Sequence, residues 1–370
     1  NNVLSGAGGS GTAVHTIDQS IRYNDDDSPI LKKTYSSAGT EETFTFSCWV
    51  KRGNIGSGLG GAGSYGVTLF SGGPDVSNYG EIVFRSSGYG VVDSLDFYYS
   101  KSGSISADLV TSRLFRDPSA WYHIVCVMDT TNAIQTERMR IYVNGSRVTD
   151  FSTETYPSKD AVPDFNTASE HGIGGFAVST DTRFFDGYLA EIVFLDGTAT
   201  DCNSFAEFNS SGLWVPKSVS GLTFGTNGFH IDGRDSSDLG DDESGQGNDY
   251  TASGLSSDDQ QPDSPTNNHA VFNRVDVTHH GYTVFSEGNL AITYSGSNAR
   301  ELARSSITIP ANTDGFFEVK ITATLGSGVD FALGIEDGSA LQDASNTTYT
   351  NAYVIREDGT FSTSGSSGTA

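Results

Sequence analysis

Residues 43–50 read Thr-Phe-Thr-Phe-Ser-Cys-Trp-Val, and this alternation decides the fold class of the 370-residue chain. Successive side chains of a strand point to opposite faces, so a period of two predicts a strand with one face in a core. The inward-facing set is Phe44, Phe46, Cys48 and Val50.

Further strand patterns follow along the first half of the chain. Trp121–Met128 is apolar on both faces, which is typical of a central strand. Arg138–Val143 alternates again and runs into Asn144-Gly145, a strong hairpin signal, and Tyr188–Leu195 is another two-faced strand. No stretch shows an apolar stripe of helical period. The sequence therefore predicts an all-β protein built on an antiparallel two-sheet jelly-roll sandwich. The predicted core contains Phe44, Phe46, Cys48, Ile124, Cys126, Ile141, Val143, Val193 and Leu195.

Shifts in composition divide the chain into four parts. Residues 1–18 are small and polar and are predicted to form an arm, and residues 19–232 form the sandwich. Residues 233–270 are rich in Gly, Ser and Asp with few large apolar side chains, which indicates a linker or a long ordered loop, and the length favours the linker. Strand patterns resume in residues 271–370 and predict a second, smaller β domain. Its last residues read Ser-Gly-Ser-Ser-Gly-Thr-Ala, which is typical of a loop and indicates an incomplete domain.

Composition and charge restrict the possible partners. The 44 glycines suit a fold with many tight turns, and 11% aromatic residues argue against disorder. The net charge of −25 would be repelled by nucleic acid phosphates and by anionic membranes. No apolar run is long enough to cross a bilayer, and no signal segment is recognisable at the start. We therefore expect neither nucleic acid binding nor membrane insertion.

The three cysteines, Cys48, Cys126 and Cys202, do not make a disulfide framework. Two of them lie inside apolar strand patterns, where a thiol behaves as a small core residue. We expect all three to be unpaired, which is consistent with assembly in a reducing cytoplasm.

Four segments resemble, in order and spacing, the core strands of laminin-G-like, concanavalin A-like domains. They are Phe44–Lys51, Trp121–Val125, Ile141–Gly145 and Phe185–Phe194. The details look closer to virion proteins of tailed phages, many of them marine. The segments similar to that subgroup are Phe115–His123, Asp129–Thr131, Arg140–Gly145, Tyr188–Gly197, Thr226–His230, Asp242–Asp249 and Asp263–Asn268. Ala303–Ile307 followed by Phe316–Val319 is similar to a SPRY-type β-sandwich.

The resemblance implies a phage structural protein: a tail fibre, a head fibre or a capsid decoration protein. It would be assembled in the host cytoplasm and exposed on the particle surface. Its partners would be other virion proteins and a host-surface glycan, and analogy with fibres and spikes implies a homotrimer. A cellular secreted lectin or adhesin of the same fold is the alternative. The fold alone does not decide between them.

A glycoside hydrolase is the third class, because concanavalin-like folds include such enzymes. Retaining hydrolysis needs two carboxyl groups about 5 Å apart. The only comparable strand runs from Glu191 to Asp196, and Glu191 shares its face with Val193 and Leu195 while Asp196 points the other way. The sequence therefore predicts a protein that is not an enzyme. His123, beside Trp121 on a central strand, is interpreted as a structural histidine.

Candidate binding residues lie in or beside two loop-like segments, one between residues 53 and 80 and one between residues 152 and 180. Exposed aromatic rings could stack on a sugar while short polar groups bind its hydroxyls. The candidates are Tyr65, Asp75, Asn78, Tyr79, Asp181 and Arg183, with ordinary solvated turns as the alternative.

Calcium is the one cofactor that the sequence leaves open, because Ca²⁺ binds six to eight oxygen ligands. Acidic solvated loops are the alternative, since neither acidic cluster has the spacing of an EF-hand. The candidate ligands are Asp25, Asp26, Asp27, Asp238, Asp241 and Asp242.

Overall fold

The structure is a computed structural model. It describes residues 15–60, 63–179, 183–277, 283–294, 302–310, 315–322, 332–336, 352–356, 360–363 and 366–369. Within these ranges the regular elements are strands and five short 3₁₀ helices, so the predicted all-β class is confirmed. In the same part of the chain no helix has the length and apolar character needed to cross a membrane.

The strands are numbered in chain order. They are β1 (Ser20–Tyr23), β2 (Ile30–Thr34), β3 (Thr43–Arg52), β4 (Gly66–Asp75), β5 (Asn78–Arg85), β6 (Ser94–Lys101), β7 (Ser104–Leu114), β8 (Trp121–Asp129), β9 (Met139–Val143), β10 (Ser146–Arg147), β11 (Phe151–Thr155), β12 (Glu170–Ile173), β13 (Gly187–Asp196), β14 (Ala206–Phe208), β15 (Trp214–Pro216), β16 (Phe229–Ile231), β17 (Thr251–Ser253), β18 (Gln260–Gln261), β19 (Phe272–Val277), β20 (Thr283–Ser286), β21 (Ala291–Tyr294), β22 (Ala303–Ser305), β23 (Ala332–Glu336), β24 (Ala352–Arg356), β25 (Thr360–Thr363) and β26 (Ser366–Thr369). The 3₁₀ helices are Asp25–Asp27, Ser87–Tyr89, Gln135–Glu137, Cys202–Ser204 and Ser257–Asp259.

Two eight-stranded antiparallel sheets form the sandwich. Sheet A has the order β10-β9-β8-β3-β13-β1-β18, with β16 also paired to β13. Sheet B has the order β11-β7-β6-β5-β4-β12-β2-β17. The predicted strand at residues 43–50 lies at the centre of sheet A, where Phe46 pairs with Cys126 on β8 and with Phe194 on β13.

The main core lies between the two sheets. The Phe46 ring from sheet A stacks on the Phe70 ring from sheet B, with centroids 5.0 Å apart. Seven of the nine predicted core residues belong to this core, namely Phe44, Phe46, Cys48, Ile124, Cys126, Ile141 and Val143. Cys48, Cys126 and Cys202 are all buried and unpaired, as predicted.

The prediction that Val193 and Leu195 belong to the main core is wrong. Both are buried, but on the opposite face of sheet A, where they pack against Phe205, Trp214 and other residues of the segment that follows β13. Ile192 and Phe194 take the inward positions instead. A strand that is apolar on both faces has no periodic signal to show which set faces the main core, so the sequence could not decide this point.

The segment interpreted as a linker, residues 233–270, is also corrected by the structure. It supplies β17 to sheet B and β18 to sheet A, and Leu239 and Tyr250 are buried in the main core. Where regular strands are absent, its many Asp, Asn and Ser side chains form hydrogen bonds with backbone N–H and C=O groups. The Asp242 carboxylate, for example, accepts hydrogen bonds from the backbone N–H groups of His230, Ser244 and Asn248.

The contacts divide the chain into two compact units. The first contains residues 1–271 and 285–291 and holds the sandwich. The second contains residues 272–284 and 292–370, where β19 pairs with β22 and strands β23 to β26 form a four-stranded antiparallel sheet.

Candidate functional site

A row of polar side chains crosses the outer face of sheet B, the face that points away from sheet A. Strand β5 turns Ile82 and Phe84 into the core and therefore turns Glu81 outward. Glu81 lies opposite Tyr98 on β6, and Tyr98 lies opposite Asp108 on β7. The next outward residue of β6 toward its start, Asp96, lies two positions from Tyr98. Neighbouring strands thus bring three carboxyl groups onto one surface.

Glu81 is fully buried and accepts three short hydrogen bonds. Its donors are the Thr68 hydroxyl at 2.5 Å, the Tyr98 hydroxyl at 2.5 Å and Nη1 of Arg183 at 2.6 Å. The hydroxyl oxygens of Tyr79 and Tyr98 are 3.2 Å apart, so Tyr79 extends this hydrogen-bond network. A buried carboxylate is stable only when it is paired and hydrogen-bonded, and Glu81 meets both conditions.

The Arg183 guanidinium lies against three aromatic rings. Its central carbon is 4.2 Å from the centroid of Phe176, 4.7 Å from Tyr65 and 5.7 Å from Tyr89. These distances are within the range of cation–π contacts. The ion pair with Glu81 fixes the guanidinium, and the guanidinium in turn supports the rings.

Tyr65 and Tyr89 form the partly exposed part of the cluster, and we call this pair the tyrosine platform. Their ring centroids are 4.9 Å apart with 39° between the planes. A backbone hydrogen bond of 2.8 Å from Gly88 to the Ser64 carbonyl joins the two loops that carry them. A side chain at Gly88 would collide with the backbone of Gly63, so the close approach of the loops requires glycine there.

Arg85 borders the tyrosine platform and bridges two carboxyl groups. Its Nε donates to Asp96 at 2.7 Å, and its Nη2 lies 3.2 and 3.3 Å from the oxygens of Asp108. Nη1 donates to the backbone carbonyl of Tyr89 at 2.9 Å, which holds that loop in place. Burial raises the pKa of Asp96 well above its usual value, and the nearby Asp108 carboxylate adds to the rise. Arg85 and Asp108 stay partly exposed and can donate to and accept from a ligand.

Three of the six predicted binding residues meet in this cluster: Tyr65, Tyr79 and Arg183. Tyr79 and Arg183 are nevertheless buried, because Tyr79 lies on β5 and Arg183 pairs with Glu81. They can position a ligand-binding surface but cannot line it as the predicted exposed loop residues would.

The other three predicted binding residues are not part of the cluster. Asp75 and Asn78 lie at the exposed turn between β4 and β5, where the Asn78 amide donates to Asp75 at 3.0 Å. Asp181 lies outside the described residues. The segment predicted as one long loop contains β4 and the start of β5, whose glycines concealed the strand pattern. A side chain at Gly80 would collide with the Phe165 ring, and one at Gly72 with His171.

The predicted calcium ligands make contacts of their own. Asp25 and Asp27 lie in a 3₁₀ helix and accept hydrogen bonds from the amides of Asn54 and Asn24, each at 2.8 Å. Asp26 and Asp238 are exposed, Asp241 is half-buried, and Asp242 organises its own loop through backbone N–H groups. In the described part of the chain, no three His, Cys, Asp or Glu side chains are arranged to hold a metal ion.

Ser47 and His123 resemble a nucleophile and its base, since Oγ and Nε2 are 2.9 Å apart. The indole N–H of Trp214 donates to Nδ1 of His123, so the proton of the neutral ring must lie on Nε2, and this nitrogen donates to Ser47. Burial lowers the pKa of His123 to about 3. This histidine cannot act as a base toward Ser47, and the interpretation as a structural residue agrees with its contacts.

Glu191 and Asp196 lie on opposite faces of β13, as the alternation predicts. Glu191 adopts the left-handed conformation at a bulge, with φ of 46°, and contacts the imidazoles of His15 and His230. Burial alone would raise the pKa of Glu191, but these imidazoles outweigh it and lower the pKa to about 2. Asp196 instead accepts hydrogen bonds from Thr40 and Asn166, each at 2.7 Å. The two carboxylates cannot act on one substrate.

The two large antiparallel sheets define a jelly-roll β-sandwich domain. Residues 26–202 match the family model Laminin_G_3, which is described as the concanavalin A-like lectin/glucanases superfamily. No curated protein sequence matches the chain.

Several solved structures resemble the chain at low sequence identity. A putative carbohydrate binding protein from Bacteroides ovatus shares 13% identity at a TM-score of 0.41, over 64% of this chain and 58% of its own. The heptameric SAP-like pentraxin from Limulus polyphemus shares 16% at 0.35, over 51% and 80%. The enzymatically active domain of tailspike protein 2 from bacteriophage CBA120 shares 14% at 0.31, over 53% and 31%. The chain thus spans little more than half the length of the first of these proteins.

Proposed function

We propose that the sandwich domain binds carbohydrate at the tyrosine platform without cleaving it, and that the protein is a structural component of a phage particle. The observation that carries the binding proposal is the pair of partly exposed rings, Tyr65 and Tyr89, beside the partly exposed pair of Arg85 and Asp108. Rings of this kind stack on the apolar face of a sugar, and the ionic pair offers donors and acceptors to its hydroxyls.

The contacts that hold the two tyrosine rings in place favour ligand binding. Arg183 lies against both rings and is held by Glu81, while Arg85 holds the backbone of Tyr89. Side chains that are already fixed lose little conformational entropy when a ligand arrives, so more of the contact energy appears as affinity.

The same contacts disfavour hydrolysis. Glu81 is enclosed by three donors, and Asp96 is buried behind Arg85. A glycosidase needs two accessible carboxyl groups on either side of the scissile bond. On this surface only Asp108 reaches solvent among the three acids described above.

The particle role rests on the resemblance of the strand motifs to tailed-phage virion proteins. The net charge of −25 suits an exposed surface, and three unpaired cysteines suit assembly in a reducing cytoplasm. We propose a tail fibre, head fibre or capsid decoration protein, a homotrimer in contact with other virion proteins, whose residues 271–370 form a SPRY-like domain. A secreted lectin or adhesin of the same fold remains the second candidate.

Replacing either tyrosine of the platform should weaken glycan binding. Tyr65→Ala and Tyr89→Ala each remove a stacking surface, and we expect at least about a fivefold loss of affinity, as for residues that dominate an interface. A panel of immobilised polysaccharides, read for protein retention and for release of reducing ends, measures both binding and cleavage.

Tyr353→Ala is the matched control, because Tyr353 is exposed and belongs to the second unit. It should leave retention unchanged. Retention that survives both platform variants would contradict the proposed site, and release of reducing ends would contradict the non-enzymatic role.

Immunogold labelling tests the proposed location. Antibodies against the chain should place gold on the surface of phage particles that carry it, at a tail, a head fibre or the capsid. Detection only in the medium of uninfected cells would instead favour the secreted lectin.

A further inference from the structure

We infer that the tyrosine platform selects neutral saccharides and discriminates against sugars that carry carboxylate or sulfate groups. This inference rests on the proposed function and names the ligand class of the same site. It follows because the charged side chains around the platform already form ion pairs within the protein.

Each guanidinium at the site already has its carboxylate partners. Arg183 donates to Glu81 at 2.6 Å, and Arg85 donates to Asp96 at 2.7 Å and contacts Asp108 at 3.2 Å. An anionic sugar can accept a hydrogen bond from Arg85 as a neutral sugar can, but it could form an ion pair of its own only by drawing a guanidinium away from its carboxylate partner. That step would leave the buried Glu81 carboxylate without its ion pair, which is strongly unfavourable, or would separate Arg85 from Asp96 and Asp108.

The described loop segments that carry the platform contain no cation of their own. Residues 53–60, 63–66, 86–94 and 174–179 contain no Lys, Arg or His. Asp93 in the third of these segments is buried and pairs with Arg52 at 3.0 Å and with the exposed Arg116 at 2.8 Å, and the whole chain carries a net charge of −25. A polyanion would therefore approach a strongly acidic chain in which the arginines near the platform already pair with carboxylates.

A neutral sugar meets no such penalty. Its ring can stack on Tyr65 or Tyr89, and its hydroxyls can accept from Arg85 and donate to Asp108, which border the platform. These contacts leave both ion pairs in place. The arrangement therefore favours uncharged hydroxyl-bearing rings over uronic acids and sulfated sugars.

Chemically matched polysaccharides test this inference. β-1,4-Mannan and β-1,4-glucan are compared with their C6-oxidised forms, and alginate with its carboxyl-reduced form, together with any other polysaccharide that the panel retains. Within each retained pair only the charge at C6 changes. We expect the neutral form to bind at least about tenfold more tightly, and we expect any residual binding of the charged form to rise with salt as repulsion is screened.

A gain-of-function variant makes the test sharper. Ser87 is exposed, two residues from Tyr89, so Ser87→Lys adds a cation beside the platform. It should raise the affinity for the charged form at least about threefold and leave the affinity for the neutral form nearly unchanged.

The outcomes separate this inference from the proposed function. Equal or tighter binding of the charged forms, still sensitive to Tyr89→Ala, would overturn the neutral preference while the binding site stands. Failure to retain any polysaccharide would overturn the proposed function and this inference with it.

Discussion

Asp263→Ala is expected to lower the free energy of unfolding by about 3–5 kcal/mol, the cost of leaving a buried charge without its partner. The Lys51 side chain is fully buried, and its ammonium donates to Asp263 at 2.8 Å, to Asn268 at 2.9 Å and to the His269 carbonyl at 2.8 Å. Burial lowers the pKa of Lys51, while Asp263 opposes the change. Urea denaturation of the variant and the parent chain measures the difference.

Two further variants check the cause of this loss. Asp258→Ala changes an exposed acid five residues away and should stay within about 0.5 kcal/mol of the parent. Lys51→Met combined with Asp263→Ala removes both charges and should recover part of the stability, because an apolar replacement of a buried pair is often tolerated. A double variant less stable than Asp263→Ala alone would show that the loss does not come from the unpaired ammonium.

The same ion pair explains why the composition of residues 233–270 wrongly predicted a linker. Polar, glycine-rich composition usually indicates a linker because such a segment cannot bury enough apolar surface. Here the segment is fixed by a few specific contacts: Asp263 with Lys51, Asp259 with Arg22 at 2.8 Å, and Tyr250 in the core. Pairings across more than 200 positions leave no local signal in the sequence.

The fold, in contrast, was readable from local patterns. Alternation in residues 43–50 and 138–143 fixes which face is buried, and Asn144-Gly145 forms the turn after β9, with φ of 48° and 82°. These signals depend on neighbours one or two residues away. Among the nine predicted core residues, only Val193 and Leu195 were assigned to the wrong face of their sheet, because β13 is apolar on both faces.

The candidate site could be predicted only in part. The sequence indicates Tyr65 and Arg183 as candidate sugar-binding residues in loops. In the structure the central guanidinium carbon of Arg183 lies 4.7 Å from the Tyr65 ring centroid. Alternation along one strand does not indicate the grouping of Glu81, Asp96 and Asp108, because it shows only which acids of that same strand share a face. These three come from successive strands, so their proximity depends on the strand register, which a single sequence does not specify.

Glu81→Ala should destabilise the sandwich by about 3–5 kcal/mol and abolish glycan binding. The substitution leaves the buried Arg183 without its carboxylate and removes the acceptor of the Thr68 and Tyr98 hydroxyls. Arg183 then loses its ion pair with Glu81, one of the contacts that hold it against Tyr65 and Tyr89. Urea denaturation gives the stability, and retention on the polysaccharides bound by the parent chain gives the affinity.

Comparison variants separate stability from positioning. Glu170→Ala removes an equivalent acid from a pair with Lys32 in which both side chains are more than a third exposed, so it should cost no more than about 1 kcal/mol and leave binding intact. Arg183→Met with Glu81→Gln removes both buried charges and should recover much of the stability. Binding should stay weak in that double variant, because no guanidinium supports the tyrosine platform. Full affinity in the stable double variant would show that Glu81 and Arg183 do not position the rings.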